Sequence, residues 1–292
     1  MYVEMISDTA RWIAYMRAVE SERPDALFRD IYSRRLAGAA GEAIAHDLGS
    51  IEMISNSIAV RTAVLDRLIL ERVNSDDVDF VLNIGTGFDT RPWRLGLPAK
   101  LQWLDVDLPR ILDHKAEVLG GRSTTCQYEA LPADIVDASQ RAAVLSAFPA
   151  TRRVLVVTEG LLVYLKPTQV RELAEDLWNR PSCRWWFTDL VGPRALQLLR
   201  QVWSVKLRAD AFHFGPADSV RFFGKLGWQE ESFHSSQEEA RRLNRVPRNA
   251  WLVRLLSMLS TPSAREELRR LSGVAVMARD PAVHSAGQAE SL

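Results

Sequence analysis

From the first residue to about Ser75, apolar side chains return every three or four positions, as in Ile51, Ile54, Ile58, Val64, Leu65 and Leu68. That is the spacing of helices with one buried face, and nothing here alternates as a half-buried strand would. Ser7 is placed to cap a first helix, and Asp25 precedes a second periodic run through Leu27, Phe28, Ile31 and Leu36. Beyond Asp77 the pattern changes. Short apolar runs at Phe80–Ile84, Leu101–Val106, Cys126–Leu131, Val154–Thr158 and Trp185–Thr188 are separated by helical stretches at Leu108–Leu119, Ser139–Phe148 and Pro167–Asn179. Such repetition predicts an α/β fold, a parallel sheet with helices on both faces. After Gly192 the signal is mixed. Helical stretches at Arg194–Lys206 and Asp218–Leu226 lead to a strand around Trp228–His234, a helical block Gln237–Leu271 and a last strand Val274–Ala278. The expected organisation is a helical cap over 1–75, an α/β domain over 76–280 with helical insertions near 192–226 and 237–271, and a flexible tail over 281–292.

Composition narrows the class. Lys and Arg total 37, as do Asp and Glu, so no net field draws the chain to nucleic acid or to an anionic membrane. No apolar run approaches the roughly 20 residues of a membrane span. Met1–Glu22 mixes both charge signs, unlike a signal peptide. Cys126 and Cys183 stand in neither a CxxC nor a metal-ligand spacing, so they read as small buried residues of a cytoplasmic protein, and no metal site is expected. The sequence carries no signal for an oligomeric state.

Parallel sheets carry ligands at the C-terminal ends of their strands, so the chemistry is sought there. The first strand runs into Asn83-Ile84-Gly85-Thr86-Gly87-Phe88-Asp89-Thr90-Arg91. Glycines after a buried strand allow a tight turn and close approach of a ligand to the backbone. A dinucleotide fingerprint would place a third glycine where Thr90 stands. Asp105 and Asp107 end the second strand, Asp134 follows the third, and Glu159 follows the fourth. A rim of carboxylates, with only Arg91 and Arg94 basic and near in sequence, would repel a pyrophosphate. It suits a ligand offering hydroxyls, an amine and positive charge, all of which S-adenosylmethionine has. Taken singly, Asp107 could cap the next helix and Asp134 could serve a turn. Glu159 is harder to explain so, because a carboxylate after the buried run Val154–Val157 needs a partner. A nicotinamide-dependent oxidoreductase shares this frame but conflicts with Thr90 and the acidic rim; a non-catalytic binding protein of the same fold is the remaining alternative.

Several motifs in order carry a family resemblance: Pro24-Asp25-Ala26-Leu27-Phe28-Arg29-Asp30, Arg35-Leu36-Ala37-Gly38, Arg61-Thr62, Gly85 through Arg91, Asp105-Val106-Asp107-Leu108-Pro109, and Glu159-Gly160-Leu161-Leu162-Val163-Tyr164-Leu165. Over roughly Pro24–Leu190 the chain resembles the leucine carboxyl methyltransferase superfamily, especially its bacterial polyketide-type O-methyltransferase branch. The resemblance implies a Rossmann-like class I methyltransferase sheet under a helical N-terminal lid, with S-adenosyl-L-methionine as cofactor. It implies that Arg61 pairs with the methionyl carboxylate, and that Gly85, Thr86 and Gly87 lie under the methionyl and ribose portion. Asp107, followed by Leu108, would hold the ribose, Asp134 and Ile135 the adenine, and Glu159 the ammonium. Asp89, Thr90 and Arg91 would brace the loop. The region after Leu190 does not match the superfamily's protein-modifying members, so a small-molecule acid or phenol is the expected substrate.

The acceptor decides whether a base is needed. A carboxylic acid of pKa about 4 is already ionised at neutral pH, whereas a phenol near 10 is not. Tyr164, Asp189, His213 and His234 are the candidate proton acceptors. Asp189 follows the fifth strand, and His213 lies among aromatic residues. A carboxylate acceptor is preferred. Trp12, Tyr15, Trp203, Phe212, Phe214 and Trp251 are candidate pocket aromatics, although ordinary core packing suits most of them.

Overall fold

The computed structural model describes residues 2–48, 52–75, 77–203, 211–246 and 261–279. Trp251, the helical stretches expected over 204–206 and 247–260, and the expected tail lie outside them.

Three helices come first: α1 (Tyr2–Ser21), α2 (Ser33–Leu48) and α3 (Glu52–Asn74). α1 begins ahead of Ser7, which lies within it. Its buried face carries Trp12, Ala14, Met16 and Ala18. α2 packs so closely on it that a Cβ at Gly41 would stand 2.6 Å from the Arg11 carbonyl oxygen. α2 starts later than the run after Asp25 suggests. The Asp30 carboxylate accepts from the Tyr32 and Ser33 amides at 3.2 and 3.1 Å, so Asp30 opens the helix and the chain before it turns. Ile31, an expected core position, is 75% exposed.

Among the described residues seven strands form one sheet: β1 (Phe80–Ile84), β2 (Gln102–Asp107), β3 (Gln127–Pro132), β4 (Val154–Thr158), β5 (Cys183–Val191), β6 (Trp228–Ser235) and β7 (Ser272–Arg279). Each strand expected from the sequence is present within a few residues of its predicted ends. Between them run α4 (Arg91–Arg94), α5 (Pro109–Leu119), α6 (Ala138–Ser146), a 3-10 turn Leu162–Tyr164, α7 (Pro167–Trp178), α8 (Pro193–Trp203), α9 (Ser219–Gly224), α10 (Ser236–Arg242) and α11 (Pro262–Arg269). The spatial order is β3-β2-β1-β4-β5-β7-β6. β1 to β5 are parallel, as the strand–helix alternation predicts. β7 lies antiparallel between β5 and β6, an arrangement with no signature in periodicity.

β1 and β4 are buried along their whole length, as interior strands covered on both faces must be. Their side chains alternate between two cores. Leu82, Val156, Trp186 and Trp228 pack with α6 and α7 through Val144, Val170 and Leu177. Val81, Leu155 and Phe187 pack with α3 through Val64, Leu65 and Ile69. Cys126 and Cys183 are free and buried, and burial pushes their thiols up to about 11 and about 12, as for small core residues. No helix among the described residues is long and apolar enough to cross a membrane.

Candidate functional site

The C-terminal ends of β1, β2, β4 and β5 open into a cavity of about 780 Å³, walled above by α1, α3 and α8. Ligand pockets range over about 300–1,000 Å³, so this one is large.

The loop after β1 forms its floor. Gly85 has φ +66°, a conformation that favours glycine, and a Cβ there would lie 2.9 Å from Leu161 Cδ1 and push that side chain aside. The loop is held from below. Asn83 Nδ2 donates to Thr86 Oγ1 at 2.9 Å and to Asp105 Oδ1 at 2.9 Å. Asp105 is fully buried and also accepts from Trp103 Nε1 (2.8 Å), Lys115 Nζ (2.5 Å) and the Tyr128 hydroxyl (3.0 Å). It is therefore a support beneath the loop and not part of the rim expected from the sequence. Burial and the neighbouring Asp105 hold the Tyr128 hydroxyl well above its ordinary value.

Asp107, two residues on, does reach the cavity. Its Oδ2 accepts from the Gly87 amide and its Oδ1 from the Leu108 amide, each at 2.7 Å. Burial pushes its carboxyl up to about 6, against the opposing pull of those two amides. Leu108, Ile135 and the exposed Asp134 line the cavity with Thr86 and Gly87. Asp134 also serves its turn, accepting from the Val136 amide at 2.9 Å.

Arg61 of α3 lines the cavity as well. Its Nε donates to Glu159 Oε1 at 3.0 Å and its Nη1 to Asp189 Oδ2 at 2.8 Å. Glu159 Oε2 lies 2.8 Å from Arg91 Nη1. Arg91, 1% exposed, is bound in turn by Asp66 at 2.7 Å and Asp89 at 2.6 Å; it braces the loop and does not line the cavity. Burial alone would raise Glu159, but Arg91 and Arg61 hold it below its ordinary value. Burial works against the Arg61 charge as well, and Asp189 and Glu159 outweigh it and raise the guanidinium.

This arrangement corrects the reading of the rim as acidic. Arg17 and Arg61 line the cavity beside the carboxylates, brought there by α1 and α3 from far away in sequence, so repulsion of a pyrophosphate does not follow. Arg17 donates to the Phe88 carbonyl oxygen. Arg17 and Lys115 escaped the sequence reading. For Lys115 a signal exists: it falls four residues from both Ile111 and Leu119, on the buried face of α5.

The candidate proton acceptors part company. Tyr164 and His213 line the cavity. The Tyr164 ring packs on Phe212 with centroids 5.3 Å apart. The His213 amide donates to the Val163 carbonyl at 2.8 Å. Asp189 lines the cavity too, but its carboxylate is taken by Arg61 and by the Gly160 amide, 2.6 Å away. His234 is outside the cavity, beside Ser232 (3.1 Å) and Glu239 (3.4 Å). Of the pocket aromatics, Trp12, Phe212 and Phe214 line it, and Tyr15 does not.

The model of the leucine carboxyl methyltransferase family matches residues 10–177. A protein of Parafrankia sp. (strain EAN1pec), bearing the name of an inferred S-adenosyl-L-methionine-dependent methyltransferase, is 32% identical over 246 residues, which are 79% of each chain. A Streptomyces coelicolor protein named in the same way is 29% identical over 244 residues, 80% of this chain and 86% of its own. Among solved structures, a DUF574 family protein from Streptomyces avermitilis superposes with a TM-score of 0.61 at 12% identity, covering 93% of this chain and 97% of its own. That likeness shows the fold.

Proposed function

Because the chain belongs to the leucine carboxyl methyltransferase family and is an S-adenosylmethionine-dependent methyltransferase, we propose that it methylates an oxygen of a small molecule, and that this oxygen is a carboxylate, possessed by a polyketide-type metabolite. The cofactor supplies a methyl carbon on a sulfonium, to which the acceptor oxygen bonds as the carbon–sulfur bond breaks.

The residues present fit that cofactor. Arg61 has five N–H donors and uses two on Glu159 and Asp189, leaving donors for a methionyl carboxylate. Asp107 keeps lone pairs for a ribose diol, and Asp134 and Ile135 line the same cavity and would hold the adenine. The chain's contribution to rate is alignment and exclusion of water, and positioning two reactants can supply about 7–11 kcal/mol of a barrier. The acceptor half is apolar: Trp12, Ile58, Leu199, Phe212 and Phe214 face it.

One observation carries the carboxylate reading. Asp189, the acid at the end of β5, is locked to Arg61 and Gly160 and so is poorly placed to take a proton. An acceptor already ionised at neutral pH needs no base. His213 supports the alternative, a phenol: it lines the cavity, and no side chain among the described residues pairs with its imidazole. A panel of aromatic and aliphatic acids and phenols, assayed with S-adenosylmethionine, separates the two. With a carboxylate, kcat stays nearly flat from about pH 6.5 to 9, and His213→Ala costs less than the roughly 10²-fold of a lost general base. A rate that climbs through neutrality, and loses that climb in His213→Ala while cofactor binding persists, overturns the carboxylate. Failure to bind S-adenosylmethionine in calorimetry, beside tight binding of NAD, overturns the whole reading.

A further inference from the structure

We infer that Asp189 is a positioning residue, which aims the Arg61 guanidinium into the cavity while fixing the turn after β4. The inference rests on the proposal that Arg61 receives the cofactor's methionyl carboxylate.

Three elements distant in sequence meet here: α3 brings Arg61, the end of β4 brings Glu159 and Gly160, and β5 brings Asp189. A guanidinium is planar, with donors in a fixed fork. One contact at Nε would leave it free to swing about that bond. Two contacts, Glu159 on Nε at 3.0 Å and Asp189 on Nη1 at 2.8 Å, fix its plane. The remaining donors, on Nη2 and the second Nη1 hydrogen, then form the free edge. Glu159 cannot do this alone, because its other oxygen is held by Arg91 at 2.8 Å. The second Asp189 oxygen accepts from the Gly160 amide at 2.6 Å. Gly160 has φ +66°, and a Cβ there would stand beside the guanidinium, 3.5 Å from Nη1 and 3.6 Å from Nη2. The same carboxylate therefore binds both the arginine and the backbone of the turn next to it. The side chains of Arg61, Asp189 and Glu159 are 20%, 17% and 14% exposed, enough sheltering for these contacts to outlast competition from water.

This makes Asp189 distinct from a proton acceptor. A proton on either oxygen would weaken the contact with Arg61 or with Gly160. It also predicts a selective defect: loss of Asp189 should harm ligands carrying an amino-acid carboxylate and spare those without one.

The test compares S-adenosylhomocysteine with 5′-methylthioadenosine, which lacks the carboxylate and ammonium, by calorimetry on wild type, Asp189→Asn and Arg61→Ala. Asp189→Asn keeps an oxygen for the Gly160 amide and turns an amide donor against Arg61. It should weaken S-adenosylhomocysteine by at least about tenfold, as loss of a charged hydrogen bond does, and methylthioadenosine by no more than about twofold. Asp189→Glu, which retains the charge, should recover part of the loss, and it carries the same comparison if Asp189→Asn does not fold. Equal losses for both ligands, or none for S-adenosylhomocysteine, overturn the inference while leaving the cofactor reading intact. If Arg61→Ala also binds S-adenosylhomocysteine as wild type does, the Arg61 reading fails and the inference falls with it.

Discussion

Asp107 ties the cavity to a measurable dependence on pH. Its carboxyl sits at about 6 in the folded chain, raised by burial from an ordinary 3.8. Between those values the folded chain holds a proton that the unfolded chain has released. The contribution of this one group to stability therefore falls as pH rises from about 4 to about 6, and the cost persists above that. In the proposed role ribose hydroxyls would donate to the ionised carboxylate, so S-adenosylmethionine should bind about tenfold more weakly at pH 5 than on a plateau above pH 7. Calorimetry across that range checks this, and an affinity unchanged between pH 5 and 7 would remove Asp107 from the ribose. At this scale the sequence was readable where a residue reaches the cavity from the end of a strand, as at Gly85, Asp107 and Glu159. Asp105 was not, because two positions along a strand share a face and only depth separates them. Its partners Asn83, Lys115 and Tyr128 come from elements that no local pattern relates. The Arg61–Asp189 pair, 128 residues apart, was hidden for the same reason.

Among elements, α1 depends on contacts from far along the chain. Arg245, just past α10 and 3% exposed, donates to Glu20 Oε1 at 2.8 Å and to Oε2 at 3.2 Å, pinning the end of α1. It also reaches Asp25 at 3.1 Å, in the turn before α2. Glu20 is itself 3% exposed, and removing one partner of a buried pair costs about 3–5 kcal/mol. Arg245→Ala should lower Tm by on the order of 10 °C in a chain of this size. A shift below about 2 °C in a melting curve would mean that water replaces the arginine at Glu20. The helices themselves were legible from their period. The delay of α2 to Ser33 was not, since it depends on which of two aspartates, Asp25 or Asp30, turns its carboxylate onto the following amides.

For the whole molecule, the parallel half of the sheet followed from alternation of strand and helix, while the place of β7 did not, because nothing local says which edge a strand will choose. β7 is the last strand in sequence yet fills the gap between β5 and β6. That order has a consequence during synthesis. β5 is complete at Val191, and about 80 residues must follow before Ser272 begins its partner. At 5–20 residues per second the growing chain spends roughly 4–16 s with that edge bare. The exposed edge includes Trp185, Trp186 and Phe187, the kind of unpaired apolar strand that recruits other chains. A nascent chain halted after residue 246 has β5 and β6 but not the strand that joins them. It should accumulate in the insoluble fraction, whereas one released after residue 279 should stay in the supernatant. Equal solubility of the two in a cell-free translation would show that something other than β7 shelters the β5 edge while the chain is being made.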